Sequence, residues 1–232
     1  MASPQQPDPQ FDSTREALYF AFNVQFTITT LPATAVNRAM SEVGVGNKAL
    51  SNALAKIDAI EPMPGKARRT KHQAPGATLH GLDRVAQAAF ILRQVEKLDR
   101  HHRNVLAARL TRSRTDCLCR RPCCQGWLVT SQWGRAVEAL CELLQDTENA
   151  VKVTGKKGFS SQPDLRRAVV SRFFDTSMGA NPTQLQQKLE ISPGTVASHT
   201  LRVTAQLGEW ETKAWLEIQD LFDQAGITGW IS

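Results

Sequence analysis

Apolar residues along this chain recur mostly three and four positions apart, the spacing of helices, and only one stretch alternates. The clearest helix starts near Leu82: Leu82, Val85, Ala89, Leu92 or Phe90, Val95 and Leu98 fall on one face, with Asp83 in the first turn. Val105, Leu106 and Leu110 predict a second helix beyond a break at His101-His102. Trp133, Val137, Leu140, Cys141 and Leu144 predict a third. From Asp164 to Gly226 the pattern predicts four helices, separated at Gly179-Ala180-Asn181-Pro182, at Ser192-Pro193-Gly194 and at Gly208. The alternating stretch is Phe20, Phe22, Val24, Phe26 and Ile28, which suits a strand. The preceding Ser13-Thr14-Arg15-Glu16 suits a helix cap, so residues 13–30 stay open between the two.

Proline, glycine and charge runs divide these elements into segments. Residues 1–12 are Pro/Gln-rich and expected to be disordered. Residues 13–61 form an N-terminal helical segment, with helices after Leu31-Pro32 and over Lys48 to Ile60, and 62–78 a basic linker. Residues 79–146 make a helical module around a cysteine-rich loop, 147–163 a second linker, and 164–232 a helical region with an acidic end. The expected fold is mainly α: a helical bundle with an inserted zinc-knuckle loop and a C-terminal helix-turn-helix.

The 232 residues, 41% hydrophobic, suffice to bury a core, and no apolar run approaches the roughly 20 residues of a membrane span. No membrane partner is expected. The N-terminus MASPQQPDPQFDS has neither the basic nor the apolar region of a secretion signal, so the expected location is the cytoplasm, where thiols stay reduced.

Charge is unevenly spread. Residues 91–125 carry Arg93, Lys97, Arg100, Arg103, Arg109, Arg112, Arg114, Arg120 and Arg121 against Glu96, Asp99 and Asp116, a balance of +6 that equals the whole net charge. Residues 208–232 oppose Glu209, Glu211, Glu217, Asp220 and Asp223 to Lys213 alone. A basic middle points to a polyanionic partner, with Arg109, Arg112, Arg114, Arg120 and Arg121 as candidates for phosphate of DNA or RNA. The competing account pairs these arginines with the acidic end of the chain.

Four of the five cysteines fall in eight residues: Cys117, Cys119, Cys123 and Cys124. Closely spaced thiolates can close a tetrahedral shell around Zn²⁺, and Arg120 and Arg121 inside the loop would offset the resulting negative charge. The spacing C-x-C and C-C is irregular, so Cys141, His101 or His102 stands as an alternative for one ligand; a redox cluster and plain buried cysteines are the rival readings. Deaminase chemistry is excluded, because no histidine is followed by x-Glu and Pro122 does not open a P-C-x-x-C. Other enzyme classes also lack their parts: no Gly-rich phosphate loop and no clustered carboxylates.

The segment from Pro182 to Val196 fits a helix-turn-helix frame, with Leu185, Leu189, Ile191 and Val196 at the inner positions. Asn181 and Ser192 are natural N-caps, each followed by proline. Lys188, Ser192, Thr195, Ser198, His199 and Arg202 form the candidate DNA-reading set. Two positions depart from the frame: Gln186 stands where a small residue sits at the helix crossing, and Glu190 where glycine makes the turn.

The run Gly81-Leu82-Asp83-Arg84-Val85-Ala86-Gln87-Ala88-Ala89, the cysteine cluster followed by Gly126, and Trp133-Gly134-Arg135-Ala136-Val137 resemble the phage and prophage late-gene antitermination Q proteins. The C-terminal half resembles a sigma-factor region-four helix-turn-helix. The resemblance covers roughly residues 80 to 205, and the cluster departs from the paired C-x₂-C motifs of the zinc-binding members. It implies a non-enzymatic factor of a bacterial host's cytoplasm that binds double-stranded DNA near a promoter. Such a factor joins RNA polymerase, in contact with sigma factor or nascent RNA, and carries it through terminators. The alternative is a phage repressor or activator that binds DNA without travelling with polymerase.

Overall fold

The computed structural model describes residues 11–29, 81–117, 126–146, 153–155, 158–160, 163–178 and 182–228. These hold seven helices and two short β-ribbons: α1 (Thr14–Thr29), α2 (Gly81–Val95), α3 (Arg100–Leu110), β1 (Arg114–Asp116), β2 (Trp127–Val129), α4 (Ser131–Asp146), β3 (Val153–Gly155), β4 (Gly158–Ser160), α5 (Pro163–Phe174), α6 (Pro182–Leu189) and α7 (Pro193–Gln224). The fold is mainly α. Of the stretch 1–12 expected to be disordered, residues 1–10 lie outside the described residues, as do the linker 62–78 and the helices between Leu31 and Ile60; Phe11 is ordered instead, its N–H donating to Ile227 O at 3.3 Å.

The chain divides into two compact units, residues 1–97 with 217–232, and residues 98–216. This cuts across the expected module 79–146, because α2 shares its apolar face with α1.

In the first unit the open question at residues 13–30 resolves as helix. Ser13 Oγ accepts the backbone N–H of Glu16 at 3.2 Å and starts α1. The small residues between the aromatics are buried too: Ala17, Leu18, Phe20, Ala21, Phe22 and Val24 all lie inside. A helix apolar on most of its circumference imitates strand alternation in the sequence. On α2 the buried seam is Ala88, Ile91 and Val95, while Ala89 and Phe90 of the expected face are exposed. The break after α2 falls at residues 96–99, so His101 and His102 sit in the first turn of α3 and not in the break.

Among the described residues, the core of the second unit is formed by Val105 and Ala108 of α3, Trp133, Val137, Leu140 and Leu144 of α4, Leu165, Val169 and Val170 of α5, Leu185 of α6, Ile191 between α6 and α7, and Val196, Val203, Leu207 and Trp210 of α7. Strands β1 and β2 pair antiparallel, with Arg114 opposite Val129 and Asp116 opposite Trp127. The expected linker at 147–163 contains a second antiparallel ribbon, β3 with β4. The described residues from Asp164 onward make three helices and not four. Gly208 does not interrupt α7, which runs for 32 residues.

Candidate nucleic-acid interface

Helix α6 ends at Leu189 and α7 begins at Pro193, leaving a turn of Glu190, Ile191 and Ser192. Glu190 has φ of +53°, the left-handed conformation that the turn requires and that glycine adopts without cost. A non-glycine residue there is strained by about 1–2 kcal/mol. Ile191 donates its N–H to Gln186 O at 3.3 Å and buries its side chain, locking the turn to α6. Ser192 caps α7: its Oγ accepts the Thr195 N–H at 3.1 Å and lies 2.8 Å from Thr195 Oγ1. The inner positions are occupied as expected, with Leu185, Ile191 and Val196 buried and Leu189 partly so.

Helix α7 then shows two opposed faces. Val196, His199, Val203, Leu207 and Trp210 are buried. Gly194, Ala197, Ser198, Leu201, Arg202 and Ala205 are exposed at helical spacing. Of the expected reading set, Lys188, Ser198 and Arg202 stand in solvent. Ser192 and Thr195 spend their hydroxyls on the cap. His199 is a correction: it is only 1% exposed and cannot reach a groove. Neither of its ring nitrogens has a hydrogen-bond partner. Burial, with help from the Arg166 and Arg202 guanidinium groups, pushes its pKa down to about 4, so the ring is neutral. The sequence carried the signal, since Val196, Val203 and Leu207 at i, i+7 and i+11 put residue 199 on the inner seam. Leu201, absent from the expected set, is 71% exposed in the middle of the outward face.

The basic middle segment is partly consumed inside the unit. Arg109 grips Glu211 bidentately, Nε to Oε1 and Nη2 to Oε2 both at 2.7 Å. Its guanidinium also lies 5.1 Å from the ring centroids of Phe173 and Phe174. Arg109 is therefore a structural clamp between α3, α5 and α7, as the competing account expected, and not a phosphate ligand. Arg114 stacks 4.2 Å over the Trp127 ring and donates to Ser177 O and, at 2.9 Å, to Met178 Sδ. It ties the β1–β2 ribbon to the loop after α5 and is likewise committed. Arg112 is exposed. Arg120 and Arg121 lie outside the described residues.

The same loop is held by Asp175, which accepts Ser113 Oγ at 2.5 Å and Ser177 Oγ at 2.6 Å. Burial alone would raise the Asp175 pKa, but these hydrogen bonds and the nearby Arg114 outweigh it and hold the carboxyl below its usual value.

Of the candidate metal ligands, Cys119, Cys123 and Cys124 lie outside the described residues. Cys117 follows β1, and its N–H donates to Gly126 O at 2.9 Å, so the ribbon closes the ends of the segment carrying all four thiols. That donor chemistry fits a zinc ion. Cys141 packs half-buried against the core, and burial pushes its thiol up to about 11 despite Arg166 and Arg167 nearby. It is a neutral thiol in this setting. His101 and His102 stand with Asp99, their ligand atoms within 4.8 Å of one another, and no described cysteine joins them.

Comparison with protein-family models, with curated proteins and with solved structures finds no match to this chain. No helix among the described residues is long and apolar enough to cross a membrane.

Proposed function

We propose that this protein binds double-stranded DNA through α6 and the first turns of α7, and acts as a phage-type transcription antitermination factor. The observation that carries the DNA-binding reading is the two-faced start of α7. One face is locked into the core, and the other offers Ser198, Leu201 and Arg202 at helical spacing beside Lys188. A serine hydroxyl and a guanidinium suit base edges in the major groove, an exposed leucine suits a thymine methyl, and lysine suits phosphate. The antitermination reading rests on the resemblance of the Gly81–Ala89 run, the cysteine cluster and the Trp133–Val137 run, together with a DNA-reading hairpin. In it, Cys117, Cys119, Cys123 and Cys124 hold a structural zinc at the ribbon end, and the factor's protein partner is bacterial RNA polymerase.

Selection of bound duplexes from a random pool, followed by transcription of a template carrying the selected site upstream of a terminator, tests both levels. The expected result is enrichment of one sequence and increased read-through by polymerase. Absence of any duplex binding overturns the DNA-binding reading. Enrichment with blocked initiation and no read-through assigns a repressor instead.

A further inference from the structure

We propose that Asp99, His101 and His102 form a metal site of their own, with no described cysteine among its ligands, for a first-row divalent cation of the zinc type. The three residues fall within four positions at the start of α3, and their ligand atoms already lie within 4.8 Å of one another. Donors bound to one tetrahedral ion at zinc–nitrogen distances stand about 3.4 Å apart. At up to 4.8 Å the three ligand atoms stand somewhat wider than that shell, so binding draws the side chains together. Two imidazoles and one carboxylate suit zinc, nickel or iron, whereas magnesium and calcium prefer shells of oxygen.

A second observation concerns Asp99. It occupies the N-cap of α3, with φ −58° and ψ 151°, yet its carboxylate makes no capping hydrogen bond. Aspartate at this position ordinarily accepts an N–H from the first turn. Here its oxygen stands near the imidazole nitrogens instead. Its negative charge also offsets the positive end of the helix, which would otherwise oppose a cation.

Burial is graded across the three: His102 is buried, His101 half-buried and Asp99 exposed. An ion held by them has protein on one side and solvent on the other, with its remaining position open to water or an added ligand. The His101 ring centroid lies 4.0 Å from that of His102 and 5.1 Å from that of Trp210, so the indole is placed to report on the site.

The test uses the full chain, stripped by a chelator, reloaded with zinc chloride and counted by mass spectrometry after excess metal is removed. An Asp99→Asn/His101→Gln variant is expected to hold one zinc fewer per chain than the wild type, whatever the cysteine cluster holds. Copper(II) titration is expected to quench a fluorescence component in the wild type that is lost in this variant and in Trp210→Phe. Equal zinc counts in wild type and variant overturn the proposal. Should the double variant fail to fold, Asp99→Asn alone removes an exposed ligand and is expected to weaken zinc binding at this site at least tenfold. Unchanged affinity in that single variant overturns the proposal equally.

Discussion

His199 is a buried imidazole on a helix whose opposite face is the candidate reader of DNA, and its burial has a pH consequence. The unfolded ring titrates near 6.5 and the folded ring near 4. Between those values the unfolded chain binds the extra proton, so stability is complete above pH 6.5 and falls as pH drops toward 4. The loss approaches about 1.4 kcal/mol per pH unit within that window. His199→Leu is expected to remove this acid limb without lowering stability at pH 7, because neither ring nitrogen has a hydrogen bond to lose. Chemical denaturation at pH 5 and pH 7.5 reads the difference; equal pH slopes in both proteins would show that His199 is not the group responsible. Arg109 and Arg202 make a contrasting pair. Arg109→Ala strands Glu211 in a partly buried site, with an expected loss of about 2–3 kcal/mol. Lysine cannot restore the fork geometry. Arg202→Ala should leave stability within about 0.5 kcal/mol and weaken binding to the selected duplex by about 1–3 kcal/mol if it reads a base.

At the scale of elements, α7 shows how packing overrides a local signal. Glycine at 208 favours a break, yet the helix continues because Val203, Leu207, Trp210 and Ala214 stay on one buried seam through it. A Cβ built at Gly208 meets nothing within 4 Å, and its backbone is helical. Gly208→Ala is therefore expected to stabilise the protein by about 1 kcal/mol, measured by denaturant midpoint at constant slope. A destabilised variant would mean that the helix is kinked there in solution. The β1–β2 ribbon depends on contacts distant in sequence. Arg114 on Trp127 and Asp175 on Ser113 join it to the loop after α5. Since Asp175 is held below its usual pKa, its contribution is present above the unfolded value and lost as pH falls through the folded one. Trp127 fluorescence should change in that acid range, later than the His199 limb, and the change should vanish in Asp175→Asn.

At the scale of the molecule, the net charge of +6 overstates what is available to a polyanion. Arg109 and Arg114 are committed internally, and the outward face of α6 and α7 presents Lys188 and Arg202. Each phosphate neutralised adds a slope of roughly −0.9 to log K against log salt on duplex DNA. Lys188→Gln is accordingly expected to reduce the magnitude of the slope by about one while affecting all sequences alike. A slope unaltered in this variant would remove α6 from the backbone contact. The salt slope of the wild type should also fall well short of a value set by all nine bases of the middle segment.

What the sequence determined by itself was local. Three-and-four spacing over Trp133–Leu144, the caps at Ser13 and Ser192, and the inner residues Leu185, Ile191 and Val196 were legible because each depends on neighbours within a turn or two. The outward positions Ser198 and Arg202 followed from the same frame. Tertiary structure alone decided which alternative prevailed where a local signal had two solutions. Burial on most sides made α1 a helix despite its alternating phenylalanines, and a continuous seam carried α7 through Gly208. Partners more than sixty positions away turned Arg109 and Arg114 from candidate phosphate ligands into clamps. The physical reason is common to all of these. A side chain's charge and shape are written in its own residue, but whether water, a carboxylate or a core surrounds it is set by segments that meet only when the chain folds.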